Sequence, residues 1–173
     1  MKYFYTMLLF AAVILSASLN CTIKYYDTNR LLNDYTTEGF LDRDHYQVII
    51  TGMPDKEARG LVASRESALK NAKAEMDNKV ITNLIKYNLN YNYKLSNIKN
   101  ANDIQNSDEI KKNLIQEMRE FLRYGQIAFE YYKENYSAVL VYRIFKEDLA
   151  GKIESIKPAF VLKDKKPEVK KLK

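Results

Sequence analysis

The hydrophobic pattern divides the chain into an apolar leader, a polar stretch and a longer region with regular periods. Residues 3–15 run apolar behind Lys2 and give way to the small polar Ser16-Ala17-Ser18. A charged start, an apolar centre and a small-residue end predict a cleaved signal peptide over 1–20; a permanent span needs about 20 apolar residues. Residues 21–44 are rich in Thr, Asn, Asp and Tyr, with only Leu31, Leu32 and Tyr35 on a short apolar face, which predicts a tether.

From His45 the periods become regular. His45–Thr51 is β-branched and closes on Gly52, which predicts a strand. Ala58, Val62, Leu69, Ala72, Met76, Val80 and Leu84 then recur at helical spacing, and a long helix is expected from Ser64 to Asn88. Glu66 with Lys70 and Glu75 with Lys79 form i,i+4 pairs on its other side. Gly60 weakens the turn before it. The alanines at 63, 68, 72 and 74 leave room for a close neighbour. The Asn-rich stretch from Leu89 to Asn106 has no sustained period and is expected to be a loop.

Asn106 and Glu109 have capping-box spacing ahead of Ile110, Leu114, Met118 and Phe121, so a second helix is expected over Asn106–Leu122. Gly125 stops it. Gln126–Tyr132 and Tyr136–Phe145 predict a hairpin, and Glu147–Ile156 a short helix closed by Pro158. The expected fold is α+β, in the order β-α-α-β-β-α, with a three-stranded antiparallel sheet packed on a long helix. The domain covers 45–157, and a basic flexible tail covers 158–173. A helix of Ser64–Asn88 outruns a seven-residue strand, so Val80, Ile81, Leu84 and Ile85 need cover from the second helix or from a second copy of the chain. Val80, Leu84, Tyr131, Tyr132 and Tyr136 are the candidate interface residues.

Composition narrows the chemistry. With 173 residues, 46% hydrophobic and 29% charged, the chain is globular, and five glycines and three prolines leave no Gly-rich linker or phosphate loop. One histidine, His45, and one cysteine remove a multi-His metal site, a zinc ribbon and an intramolecular disulfide. The acids Asp42 and Asp44 lie in a polar stretch without the desolvation a catalytic carboxyl needs. The net charge of +6 is concentrated in the lysine-rich C-terminus, which would favour anionic surfaces. No catalytic residue, metal or cofactor is expected, and nucleic acid is excluded as a partner because no basic-aromatic platform is evident.

The one cysteine, Cys21, directly follows the leader. Leu15-Ser16-Ala17-Ser18-Leu19-Asn20-Cys21 resembles a relaxed bacterial lipobox, with Leu19 and Asn20 in place of the usual small residues. A thiol there accepts a diacylglyceryl group as a thioether, and lipidation at Cys21 gives a lone cysteine in an oxidising compartment a partner. Ordinary cleavage after Ser18 remains the alternative.

The strand ending Thr51-Gly52, the alanine-spaced helix Ala63-Ser-Arg-Glu-Ser-Ala68-Leu-Lys-Asn-Ala72-Lys-Ala74 and the pair Gly125-Gln-Ile-Ala-Phe and Tyr136-Ser-Ala-Val-Leu-Val-Tyr142 resemble the lipoprotein-twenty (LPP-twenty) family over about residues 45–156. The Asn-rich stretch and the second helix depart from it. The resemblance implies a small bacterial envelope lipoprotein with a dodecin-like β-α-β-β core. It places the protein at the cell envelope, in the outer membrane, with envelope or flagellar proteins or further copies of itself as partners. Flavin, which dodecin-like cores suggest, has no Trp here to stack on. The expected function is that of a non-catalytic lipoprotein with a protein-binding or assembly domain. The alternatives are a soluble periplasmic or secreted subunit of a flagellar or surface assembly, and a small-ligand carrier.

Overall fold

A computed structural model describes residues 34–163 of the chain. The expected signal peptide, residues 21–33 of the expected tether with Cys21, and residues 164–173 of the expected tail lie outside the described residues. Four strands and three helices follow one another: β1 Gly39–Phe40, β2 His45–Gly52, α1 Gly60–Leu95, α2 Ser107–Arg119, β3 Gly125–Tyr132, β4 Ala138–Phe145 and α3 Leu149–Ser155. The fold is α+β, as the periods predict. The sheet is antiparallel in the order β1-β2-β4-β3.

The central pair is β2 with β4, in unbroken register from His45 opposite Phe145 to Gly52 opposite Ala138. Tyr46, Val48 and Ile50 alternate towards the helices, as do Leu140, Tyr142 and Ile144, and all are buried. β3 completes the expected hairpin, with a break in register between Ile127 and Phe129.

The sheet has four strands, not three, because residues 34–44, expected to be tether, belong to the domain. β1 is only two residues, opposite Tyr46 and Gln47, too short to leave a period in the sequence. Beyond it, side chains satisfy the edge of β2. The Glu38 carboxylate accepts the Ile49 N–H at 2.9 Å, and the Lys79 ammonium donates to the Ile49 carbonyl. Lys79 pairs with Glu38 at 3.1 Å, not with Glu75, and the Glu66–Lys70 pair does not close either.

The long helix is longer than its apolar period suggested. α1 has 36 residues and begins at Gly60, whose φ of +82° places it at the helix entrance and not in the interior. At 1.5 Å per residue it is about 54 Å long, against about 26 Å for an eight-residue strand. Its buried positions include Ser64, Ala68, Ala72, Val80, Leu84, Asn88 and Asn92, mostly four apart. Each step of four turns the face about 40°, so the contact stripe winds around the helix. The first half lies on the sheet, and the second half meets α2 and α3.

Two close approaches set this geometry. A Cβ on Gly52 would lie 2.1 Å from the Ala68 carbonyl oxygen and 2.4 Å from the Ala72 nitrogen. Glycine on the strand and alanine on the helix bring the two backbones together, while Ala63 and Ala74 face solvent. A Cβ on Gly125 would lie 2.1 Å from the Tyr142 hydroxyl, which donates to the Leu122 carbonyl at 2.8 Å.

The expected loop from Leu89 is helical to Leu95, because Asn88 and Asn92 are buried and employed. The Asn88 amide donates to the carbonyls of Ile153 and Ile156 at 2.7 and 2.8 Å, and Asn92 donates to Ile156 at 3.2 Å. These carbonyls lie at the end of α3, where Ile153 receives only the Ile156 N–H at 3.2 Å, so a residue poor in helix propensity is retained for a tertiary reason.

On α2, Ile110, Leu114 and Met118 are buried as the period predicts. The capping box does not form. Asn106 instead donates to the Ala159 carbonyl at 2.9 Å and accepts the Val161 N–H at 3.0 Å. The tail therefore starts later than Pro158. Residues 158–163 return along the 101–105 turn, with the Gln105 N–H on the Val161 carbonyl and the Lys163 N–H on the Asp103 carbonyl. Phe160 lies 5.3 Å from the Tyr93 ring.

Candidate functional site

The structure separates the candidate interface residues into two groups. Val80 and Leu84 are fully buried in the core, so they are not available as an interface. α2 and α3 cover this half of α1 from within the chain, the first of the two covers its overrun required. Tyr131 and Tyr136 are 39% and 43% exposed. Tyr132 is half-buried, with the Arg65 guanidinium 5.1 Å over its ring and its hydroxyl donating to Glu130 at 2.9 Å.

Around Tyr131 stands an aromatic surface that only the fold assembles. Alternation places Phe129 and Tyr131 on the sheet face opposite the helices, with centroids 5.8 Å apart. Tyr35 stacks on Phe129 at 4.6 Å, and the Arg143 guanidinium lies 4.9 Å over Tyr35. Arg143 is held by Gln47 Oε1 at 2.5 Å and by the Asp34 carbonyl at 2.7 Å, and Gln47 donates to the Thr37 carbonyl at 2.7 Å. Gln47 is fully buried with both ends of its amide satisfied. This network fixes residues 34–38 against the sheet and Tyr35 on Phe129.

Asp34 forms the first turn of that segment. Its carboxylate accepts the N–H groups of Thr36 and Thr37 at 3.1 and 3.0 Å. Hydrogen bonds from Thr37 and Thr36 lower its pKa to about 2. β3 pairs only with β4 among the described residues, so Ile127, Phe129 and Tyr131, all more than a third exposed, occupy an edge strand. Tyr136 stands at the hairpin turn with φ +63°. The sequence offered Tyr131, Tyr132 and Tyr136 as interface candidates, but nothing in it tied Tyr35, 94 residues from Phe129, to the same surface as Tyr131.

The histidine and the acids around the 42–45 turn are engaged in structure. His45 Nδ1 is 3.0 Å from both Asp42 carboxylate oxygens, and its ring stacks on Phe145 at 4.6 Å. Asp42 also accepts the N–H groups of Asp44 and His45 at 2.7 Å, and Asp44 accepts the Asp148 N–H at 2.8 Å. These acids cap a turn. The Tyr87 hydroxyl donates to Glu154 at 2.5 Å, and burial with that carboxylate raises its pKa to about 12. Tyr124 is shifted the other way by Lys146, 3.9 Å over its ring, and by Arg123, which donates to its hydroxyl.

Among the described residues, no group of three or more His, Cys, Asp or Glu stands together as a metal site. No helix among them is long and apolar enough to cross a membrane. Comparison with protein-family models, with curated proteins and with solved structures finds no match for this chain.

Proposed function

We propose that the protein is a non-catalytic envelope lipoprotein of the LPP-twenty type, anchored by an acylated Cys21, whose domain holds another envelope protein against the aromatic face of β3. The observation that carries the binding role is the pair of exposed rings on the edge strand, Phe129 and Tyr131, with half-buried Tyr35 stacked on Phe129. Aromatic side chains supply large contact area at small entropic cost, and clusters of them on an otherwise polar surface mark protein interfaces. The Arg143–Gln47–Asp34 network fixes this patch before any partner arrives, which lowers the ordering cost of binding. Two anchored acyl chains hold a protein stably where one is marginal, so the domain's surfaces are left for partners.

Site-directed photocrosslinking in intact cells tests the binding role. Benzoylphenylalanine at position 131 should give a discrete adduct with one envelope protein, and Phe129→Ser should abolish it while the domain stays folded. The same residue at position 112, exposed on α2, should give none. Equal adducts from both positions, or an adduct indifferent to Phe129→Ser, would exclude the β3 face as the binding surface.

A further inference from the structure

A groove of about 430 Å³ runs between the C-terminal half of α1 and the outer side of α2. Its apolar lining comes from Ile85, Leu89 and Tyr93, successive steps of four on α1, and from Ile115 on α2, which is 40% exposed. Ile115 lies off the buried stripe of Ile110, Leu114 and Met118. The charged side chains lining the groove are Lys86 and Lys111, one from each helix, with no acidic side chain among the lining residues. Neither lysine makes an ion pair within the described residues.

We infer that this groove binds a single-chain anionic amphiphile, a long-chain fatty acid. The apolar lining on α1 extends from Ile85 to Tyr93, about 12 Å at helical rise, and suits much of an extended alkyl chain. Two ammonium groups on aliphatic stems at the rim suit one carboxylate, because each stem covers apolar surface while its head stays in water. The volume falls within the ordinary range for small-ligand sites, about 300–1,000 Å³. Charge complementarity selects a fatty acid over a neutral lipid or an apolar peptide. The groove lies on the helical layer, so it does not depend on the β3 surface.

Photolabelling the full chain in phosphatidylcholine nanodiscs tests the inference, with diazirine-bearing palmitic acid as probe and the corresponding alcohol as neutral control. Adducts should map to residues 82–93 and 111–115 and be displaced by unlabelled palmitate. The double variant Lys86→Glu, Lys111→Glu should reduce labelling about fivefold or more, with its thermal unfolding unchanged, since neither lysine forms an ion pair within the described residues. Equal labelling by the alcohol would mean apolar partitioning alone and would overturn the assignment. So would adducts spread over the domain, labelling unaffected by charge reversal, or no labelling of the groove.

Discussion

Gly52→Ala tests the contact on which the two layers of the fold depend. The added Cβ would stand 2.1 Å from the Ala68 oxygen and 2.4 Å from the Ala72 nitrogen, where ordinary contact begins near 3.4 Å. Both atoms are helix backbone, so no rotamer change relieves the overlap, and α1 must retreat from β2 by about 1 Å. A gap of that size forfeits roughly a quarter to a half of each dispersion contact along the seam, which includes Val48, Ile50, Ala68 and Ala72. Overpacking of this kind costs about 1–3 kcal/mol, and a backbone clash belongs at the upper end. Reduced freedom of the unfolded chain returns about 0.4–1 kcal/mol, so the net loss should be about 2 kcal/mol. For a domain of this size that lowers Tm by roughly 6–10 °C. Urea unfolding followed by circular dichroism measures the change directly. Adding Ala72→Gly should not restore stability, because the nearest atoms remain. Stability within about 0.5 kcal/mol of the parent, a surface-like change, would refute the close-approach argument, and so would rescue by Ala72→Gly.

Two further outcomes follow from buried and capping side chains. Asn88→Ala should cost about 1–2 kcal/mol, the low end for lost buried hydrogen bonds, because Ile153 and Ile156 keep the Ile156 N–H and the Asn92 amide as second donors. Asn88→Asp should cost more at neutral pH, about 3 kcal/mol, since it directs a charge at two carbonyl oxygens, and denaturation curves that rank the two variants the other way would contradict the assignment. Asp34 has a folded pKa near 2, below its unfolded value, so its stabilisation is present above about pH 4 and is lost as pH falls through 2. The Thr37 amide resonance should titrate with a midpoint near 2, and a midpoint near 3.9 would mean that the turn at residues 34–37 does not hold in solution.

What the sequence made legible was whatever repeats. Val48 and Ile50, Ile110, Leu114 and Met118, and the run Ala138–Tyr142 fall where their periods put them, because burial on one face repeats along strand or helix. The misses share one cause, a polar or short segment whose partner is distant in sequence. β1 exists because Gly39 and Phe40 find Gln47 and Tyr46, and two residues carry no period. Asn88 reads as the end of the helix and Asn92 as loop because their function, satisfying carbonyls about 65 positions away, leaves no local trace. Lys79 was expected to pair within its helix and instead meets Glu38 on the sheet edge. The four-residue steps of α1 blur its apolar stripe, so Leu89 and Tyr93 were hidden with the rest of the Asn-rich stretch. Of the aromatic surface only Tyr131 was legible, while Tyr35 and Phe129 become neighbours only through Arg143 and Gln47.

Metabolic labelling with a radioactive or alkyne-tagged palmitate tests the envelope-lipoprotein assignment most directly. The wild-type chain should take up label and fractionate with the membrane, and Cys21→Ser should lose the label. An unlabelled wild-type chain whose mature N-terminus is Leu19 would contradict the anchor and favour a soluble periplasmic or secreted subunit.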